Sequence, residues 1–159
     1  MLADWLAQSR VARGFARRPA GVDVARARRW VESCDGPNGL LLAIRSINDA
    51  TAGGFWHVLS ERSQRRAEVT VVLGRRLFDG RAAAVETGIM LFDWLLRTRG
   101  VEKLTSTILA TNRPALRLAD QWMIREGVLR GEIMAPGTGE RLDVIRFGLL
   151  AQDWTGRKR

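Results

Sequence analysis

The sequence predicts an α/β protein in which a mixed sheet carries helices on its faces. Stretches that have the composition and two-residue period of strands alternate with stretches whose apolar residues recur every three or four positions, the period of a helix. The predicted order is two helices, three strands, a helix, a strand, a helix and two closing strands, which suits a layered arrangement. With 159 residues and 46% apolar content, we expect a single domain over residues 1–159.

The first half of the chain predicts two helices followed by three strands. Pro19 and Gly21 separate the helices, and Trp30 and Val31 share a face of the second one. The predicted bounds are residues 4–15 and 23–34 for the helices, and 40–47, 51–59 and 67–73 for the strands. Residues 1–21 are atypical because they show no obvious first strand.

The second half begins with a long helix in which Val85, Ile89 and Phe92 repeat at helical spacing. Gly100 occupies a helix stop position, and Pro114 is placed to open the next helix. The predicted bounds are residues 82–99 and 114–123 for the helices, and 104–109, 127–134 and 142–150 for the strands.

Composition and charge narrow the functional classes. The single cysteine, Cys34, excludes an internal disulfide and fits a reducing compartment, and the single histidine, His57, leaves no histidine-rich metal site. No apolar run approaches the roughly 20 residues that cross a bilayer, and the N-terminus lacks a signal-peptide pattern. We therefore expect a cytoplasmic protein with no metal and no membrane span.

The formal net charge of +9 is carried almost wholly by arginine. Such a charge suits a nucleic acid, an acidic protein surface or a polyanionic cofactor. The arginines are scattered, and the alternation of aromatic and basic residues that binds single strands is absent. Nucleic acid is therefore not expected as the main partner.

One stretch combines a strand, a basic turn and a helix. The apolar strand residues end at Leu73, and the turn 74–80 leads into helical spacing from Ala82. The free N–H groups and the dipole of a helix start favour an anion, and Arg75, Arg76 and Arg81 strengthen this preference. The stretch therefore predicts a phosphorylated ligand, although a plain strand–helix connection with solvated arginines is the alternative.

Three short motifs occur one after another along the chain. They are the glycine-bounded turn within residues 73–86, Asn112-Arg-Pro-Ala115 after a strand, and Arg125-Glu-Gly-Val-Leu-Arg130 at the start of another. Together they resemble the GNAT superfamily of acyl-CoA-dependent N-acyltransferases, closest to its ribosomal-protein alanine and polyamine acetyltransferases. The resemblance covers residues 22–154 and implies a mostly antiparallel central sheet with helices on both faces, with acetyl-CoA as co-substrate.

The resemblance also implies where the co-substrate binds. The strand residues before the turn would pair with the pantetheine arm of CoA, and the N–H groups of the turn would hold its pyrophosphate. Asn112 would bond the arm, cap a helix, or do both. The implied cofactor-binding residues are Val71, Val72, Leu73, Arg75, Arg76, Leu77, Phe78, Asp79, Gly80, Arg81, Ala82 and Asn112.

Two residues are candidates for the catalytic base that acylation of an amine requires. Glu68 matches the position where many relatives carry a carboxylate, and its alternative role is a surface acid paired with Arg65 or Arg66. His57 is the second candidate, with a purely structural role as its alternative.

The general acid has no clear candidate. The chain contains no tyrosine, and Ala115 stands where the subgroup often has serine. Ser106, Thr111 or water remain open as substitutes.

The leading hypothesis is an N-acetyltransferase that moves an acetyl group from acetyl-CoA to a primary amine by direct attack. The acceptor would be a protein N-terminus or a small amine, and a homo-oligomer stays open. The alternative is a GNAT-fold module that has lost catalysis and serves in binding or structure within a larger assembly.

Overall fold

The computed structural model describes residues 24–34, 36–46, 49–74, 80–135 and 138–156. The predicted helix at residues 4–15 lies outside these ranges. The described elements are α1 Val24–Cys34, β1 Gly39–Ser46, β2 Asp49–Glu61, β3 Arg66–Leu73, α2 Gly80–Asp93, β4 Lys103–Leu109, α3 Arg113–Ala119, β5 Ile124–Met134 and β6 Arg141–Leu150.

The six strands form one sheet in the order β1-β2-β3-β4-β6-β5. Every neighbouring pair is antiparallel except β3 and β4, which are parallel. Within the described residues, helices cover both faces, with α1 on one face and α2 and α3 on the other. The predicted fold class, a mixed and mostly antiparallel sheet between helices, is confirmed.

Side chains of β2 alternate between the two faces of the sheet, as strand geometry requires. Trp56 and Val58 belong to the main core, on the face covered by α2 and α3. The ring of Trp30 on α1 lies 5.5 Å from Phe55 and 5.7 Å from His57 on the other face. This alternation places His57 on the α1 face.

Phe92 of α2 lies at the centre of the main core, with 1% of its surface exposed. Its ring makes edge contacts with Trp56 at 6.0 Å, Trp122 at 5.4 Å and Trp154 at 5.5 Å. Gly88 makes this packing possible, because a Cβ there would lie only 2.8 Å from the Trp122 ring. The helix therefore packs tightly against aromatic residues that come from three other parts of the chain.

The parallel strands β3 and β4 pair over three residues and then separate. Their register runs from Arg66–Lys103 to Glu68–Thr105. Beyond this point β3 stays paired with β2, up to Leu73, and β4 stays paired with β6, up to Leu109. The sheet therefore forks, with Glu68 and Thr105 at the base of the fork.

Several boundaries differ from the predicted ones. β2 continues to Glu61 because its polar end pairs with the start of β3, so the predicted loop at residues 60–66 shrinks to a short turn. The helix α3 ends at Ala119, and the apolar residues Trp122 and Met123 enter the core after the helix has ended. β5 accordingly begins at Ile124 rather than at 127.

The sequence predicted that the long helix ends near residue 99, but it did not predict that the last turn is π-helical. The α-helix ends at Asp93 and continues as a π-helical turn, Trp94–Thr98. Gly100 follows with a φ of +68°, the left-handed conformation expected of a stop glycine. Among the described helices, none is long and apolar enough to span a membrane.

Candidate active site

The fork between β3 and β4 holds a narrow cavity of about 80 Å³. Val69–Val71 line one side and Ser106–Ile108 the other. The floor is made of core aromatic residues, namely Trp56, Phe92 and Trp122. The fork therefore contains a small space between the two strands, above an apolar floor.

Within the described part of the chain, residues 69–73 of β3 have no strand partner on the β4 side. No β3–β4 pair follows Glu68–Thr105, so residues 69–73 present one edge of the strand to the fork. Backbone N–H and C=O groups on such an edge can pair with an added extended segment. The predicted arm-binding residues Val71, Val72 and Leu73 lie on this edge, with Val71 lining the cavity.

The predicted phosphate-binding turn is described only at its two ends. Gly74 follows β3 and donates its N–H to the carbonyl of Gly53 at 2.9 Å, and Gly80 is the first residue of α2. Residues 75–79, which include Arg75, Arg76, Leu77, Phe78 and Asp79, lie outside the described ranges, as does the side chain of Arg81. Ala82 is exposed in the first turn of α2. The N-terminus of a 14-residue helix thus directly follows the turn.

Asn112 joins the fork to α3. Its side chain caps the helix, because Oδ1 accepts a hydrogen bond from the N–H of Ala115 at 3.3 Å. Both residues also line the cavity in the fork. The helix-capping role is therefore present, and Asn112 also lies in the wall of the cavity.

Glu68 and His57 lie on the α1 face beside the base of the fork. Glu68 pairs with Leu59 and His57 with Thr70, so the two side chains are diagonal neighbours on one face. Glu68 is half-buried. The predicted candidates for a base are thus brought together at the point where the sheet opens.

The pKa of His57 lies below the usual histidine value. Burial disfavours the charged ring, and the nearby negative charge of Glu68 only partly offsets this effect. At neutral pH the imidazole is therefore neutral. Its Nε2 is buried and makes no hydrogen bond to any residue that the structure describes.

The arginines next to Glu68 in sequence bind other carboxylates. Arg65 forms an ion pair with Glu102, and Arg66 forms one with Glu61. The surface-acid role considered for Glu68 depended on a pair with one of these two arginines. Both of them have other carboxylate partners.

A second carboxylate, Glu126, lies near the base of the fork and was not predicted as a site residue. Gly148 pairs with Thr105, and a Cβ on Gly148 would collide with the Glu126 carboxylate, which therefore lies over the sheet at this point. Lys103 Nζ donates to Glu126 Oε1 at 2.5 Å, and Arg146 Nε lies 3.9 Å from Oε2. The negative charge of Glu126 is thus balanced locally.

Residues 1–121 match the family model described as an acetyltransferase (GNAT) domain. No curated protein matches the chain.

Three solved structures show the same fold at low sequence identity. A GNAT-family acetyltransferase from Bacillus anthracis has a TM-score of 0.78 at 18% identity, covering 95% of this chain and 87% of that one. A GCN5-related N-acetyltransferase from Brucella melitensis has a TM-score of 0.77 at 17% identity, covering 96% of this chain and 71% of that one. A mutant of the spermidine N-acetyltransferase SpeG from Vibrio cholerae has a TM-score of 0.70 at 15% identity, covering 82% of this chain and 76% of that one.

The family match spans most of the chain, and the fork, the unpaired strand edge and the following helix start agree with it. The predicted membership of the GNAT superfamily is therefore confirmed, and with it an acetyltransferase assignment. The chain belongs to the acetyltransferase (GNAT) domain family.

Proposed function

We propose that the protein transfers an acetyl group from acetyl-CoA to a primary amine, by direct attack of the amine on the thioester. The observation that carries this proposal is the fork, in which a strand edge without a partner leads to the N-terminus of α2. An extended arm with amide groups fits the edge at residues 71–73, and a helix start suits a phosphate group.

The residues of the chain would act mainly by positioning. Val71, Val72 and Leu73 would hold the pantetheine arm as an added strand, and Asn112 would bond it from the opposite wall. The turn 75–79 with Gly80, Arg81 and Ala82 would hold the pyrophosphate. Holding the amine and the thioester in reacting geometry supplies a large part of the rate gained by such enzymes.

Glu68 is the proposed base, and the acceptor would approach from the α1 face. A half-buried carboxylate at the base of the fork remains open to a proton carried by the amine or by one water molecule. His57 is less suited, because its Nε2 is sealed from solvent. We assign His57 the role of a neutral neighbour that limits the solvation of Glu68.

Ser106 is the best placed of the candidates for the general acid. It lines the cavity in the fork, whereas Thr111 is exposed outside it. The leaving thiolate would take its proton from the Ser106 hydroxyl or from water bound beside it.

The charges around the fork favour an acceptor with one amine over a polyamine. Glu126 is balanced by Lys103 and Arg146, so of the two described carboxylates at the base of the fork Glu68 remains for an ammonium group. The net charge of +9 also repels a polycation. A protein N-terminus or a small monoamine therefore fits better than spermidine, the acceptor named for the Vibrio cholerae protein.

The alternative function is a binding module that retains the co-substrate but lacks turnover. Ala115 supports it, because this wall of the cavity has a methyl group where related enzymes often have a hydroxyl. The absence of tyrosine from the sequence supports it as well.

Calorimetry and a thiol-release assay separate the two functions. We expect acetyl-CoA to bind with a dissociation constant in the micromolar range, and free CoA thiol to appear with a peptide or monoamine acceptor. Binding without thiol release across peptides, monoamines and polyamines would establish the binding module instead. No binding of acetyl-CoA or CoA at millimolar concentration would refute both.

Glu68→Gln tests the proposed base. We expect turnover at neutral pH to fall roughly 100-fold or more, the range for loss of a general base, with little change in acetyl-CoA affinity. Glu132→Gln is the matched control, because Glu132 is exposed on β5 away from the fork. If His57→Gln abolishes turnover while Glu68→Gln leaves it intact, the roles of the two residues are reversed.

A further inference from the structure

A second cavity, of about 560 Å³, lies at the other end of α2 from the turn that precedes it. Its walls are residues 36–38 before β1, the turn between β2 and β3, and the segment from Trp94 to Val101. The helix and its π-helical turn separate the two ends by roughly 25–30 Å. The cavity shares no lining residue with the one in the fork.

The lining of this cavity is strongly basic. Among the described residues, four arginines line it, namely Arg62, Arg65, Arg66 and Arg99, against one acid, Glu61. Two of the arginines are neutralised, since Arg66 binds Glu61 and Arg65 binds Glu102. In the described part of the chain, no carboxylate oxygen lies within ion-pair distance of Arg62 or Arg99. Two guanidinium groups are thus available in a concave site, where their field is focused.

One of the available guanidinium groups is held in place by the π-helical turn. The N–H of Arg99 donates to the carbonyl of Trp94 at 2.9 Å, five residues back. The guanidinium carbon of Arg99 also lies 5.2 Å from the centre of the Trp94 ring. Stacking on an indole orients a guanidinium while leaving its N–H donors free at the edges.

Arg65 holds the adjoining part of the cavity wall. This residue has a φ of 47°, rare for a side chain other than glycine, and its N–H donates to the carbonyl of Arg62 at 3.1 Å. Its own carbonyl accepts from the N–H of Glu102 at 2.7 Å, and its Nε donates to the carbonyl of Gly100 at 3.2 Å. Arg65 therefore joins the turn that carries Arg62 to the loop that carries Arg99.

We propose that this cavity binds a small organic polyanion, whose carboxylate or phosphate groups bridge Arg62 and Arg99. Guanidinium groups suit both oxyanions, because their paired donors match two oxygens at once. The volume is in the range of small-molecule sites. Leu40, Val58 and Leu95 add apolar wall, which suits a ligand with a carbon body. The site is independent of the proposed acetyl transfer.

Calorimetry and thermal shift at low ionic strength test the site with three defined probes: citrate, benzene-1,3,5-tricarboxylate and inorganic pyrophosphate. We expect at least one probe to bind and to raise the melting temperature. The double variant Arg62→Gln/Arg99→Gln should weaken that probe tenfold or more. The control Arg117→Gln/Arg130→Gln removes the same charge from exposed positions on α3 and β5 and should leave the affinity unchanged. Circular dichroism confirms that both variants fold.

Three outcomes would overturn the proposal. One is that no probe binds at millimolar concentration. Another is equal weakening in the two double variants, which would show attraction to the net charge alone. The third is binding that the Arg62/Arg99 substitutions do not change, which would place the probe elsewhere, such as the turn before α2.

Discussion

Replacing Gly80 with glutamate is expected to weaken the binding of CoA and acetyl-CoA strongly while the protein stays folded. Gly80 is the first residue of α2, next to the proposed pyrophosphate site. An acid at a helix start favours the helix itself, so the fold should not suffer. The same charge repels a pyrophosphate by roughly 2–4 kcal/mol, which corresponds to a loss of about 30- to 1000-fold in affinity. Calorimetric titration with CoA measures the loss.

Met90→Glu is the control for this variant. It introduces the same charge on the same helix at a side chain that is 71% exposed, more than two turns away. We expect it to bind CoA like the unaltered protein. An unchanged affinity in Gly80→Glu, with both variants folded, would contradict the placement of the pyrophosphate at the start of α2.

The elements that organise the site could be predicted because their signals are local. Val69 to Leu73 have the composition of a buried strand, and Val85, Ile89 and Phe92 have the spacing of a helix. The stop glycine after α2 and the helix-capping Asn112 also depend on a few neighbouring residues. Each of these signals specifies the backbone conformation of a few adjacent residues. Contacts with distant parts of the chain therefore do not change it.

Features that depend on strand neighbours could not be predicted. Glu126 reaches the base of the fork only because β6 lies between β4 and β5, an order that no local pattern encodes. The length of β2 depends on its pairing with β3. The residue at which α3 ends depends on the burial of Trp122. The π-helical turn has no recognisable sequence signal, although it positions Arg99 in the second cavity.

Phe92→Ala is expected to give the largest loss of stability of any variant considered. The side chain is almost fully buried among Trp56, Trp122 and Trp154, so its removal leaves a cavity that rigid rings cannot fill. Such substitutions cost about 3–5 kcal/mol. For a domain of this size the melting temperature should fall by roughly 6–20 °C. Leu150→Ala, at a side chain that is 41% exposed, is the control and should cost less than about 1 kcal/mol.

The same residue links stability to the site, because Phe92, Trp56 and Trp122 form the floor of the fork. Trp56 belongs to β2, on one side of the fork, and Trp122 follows α3 on the other, and Phe92 contacts both. Phe92→Leu keeps an apolar group there and should fold at moderate cost. We expect this variant to weaken acetyl-CoA binding at a temperature at which its thermal unfolding curve shows that it is fully folded. Unchanged affinity in that variant would mean that the two sides of the fork hold the pantetheine arm without support from the floor.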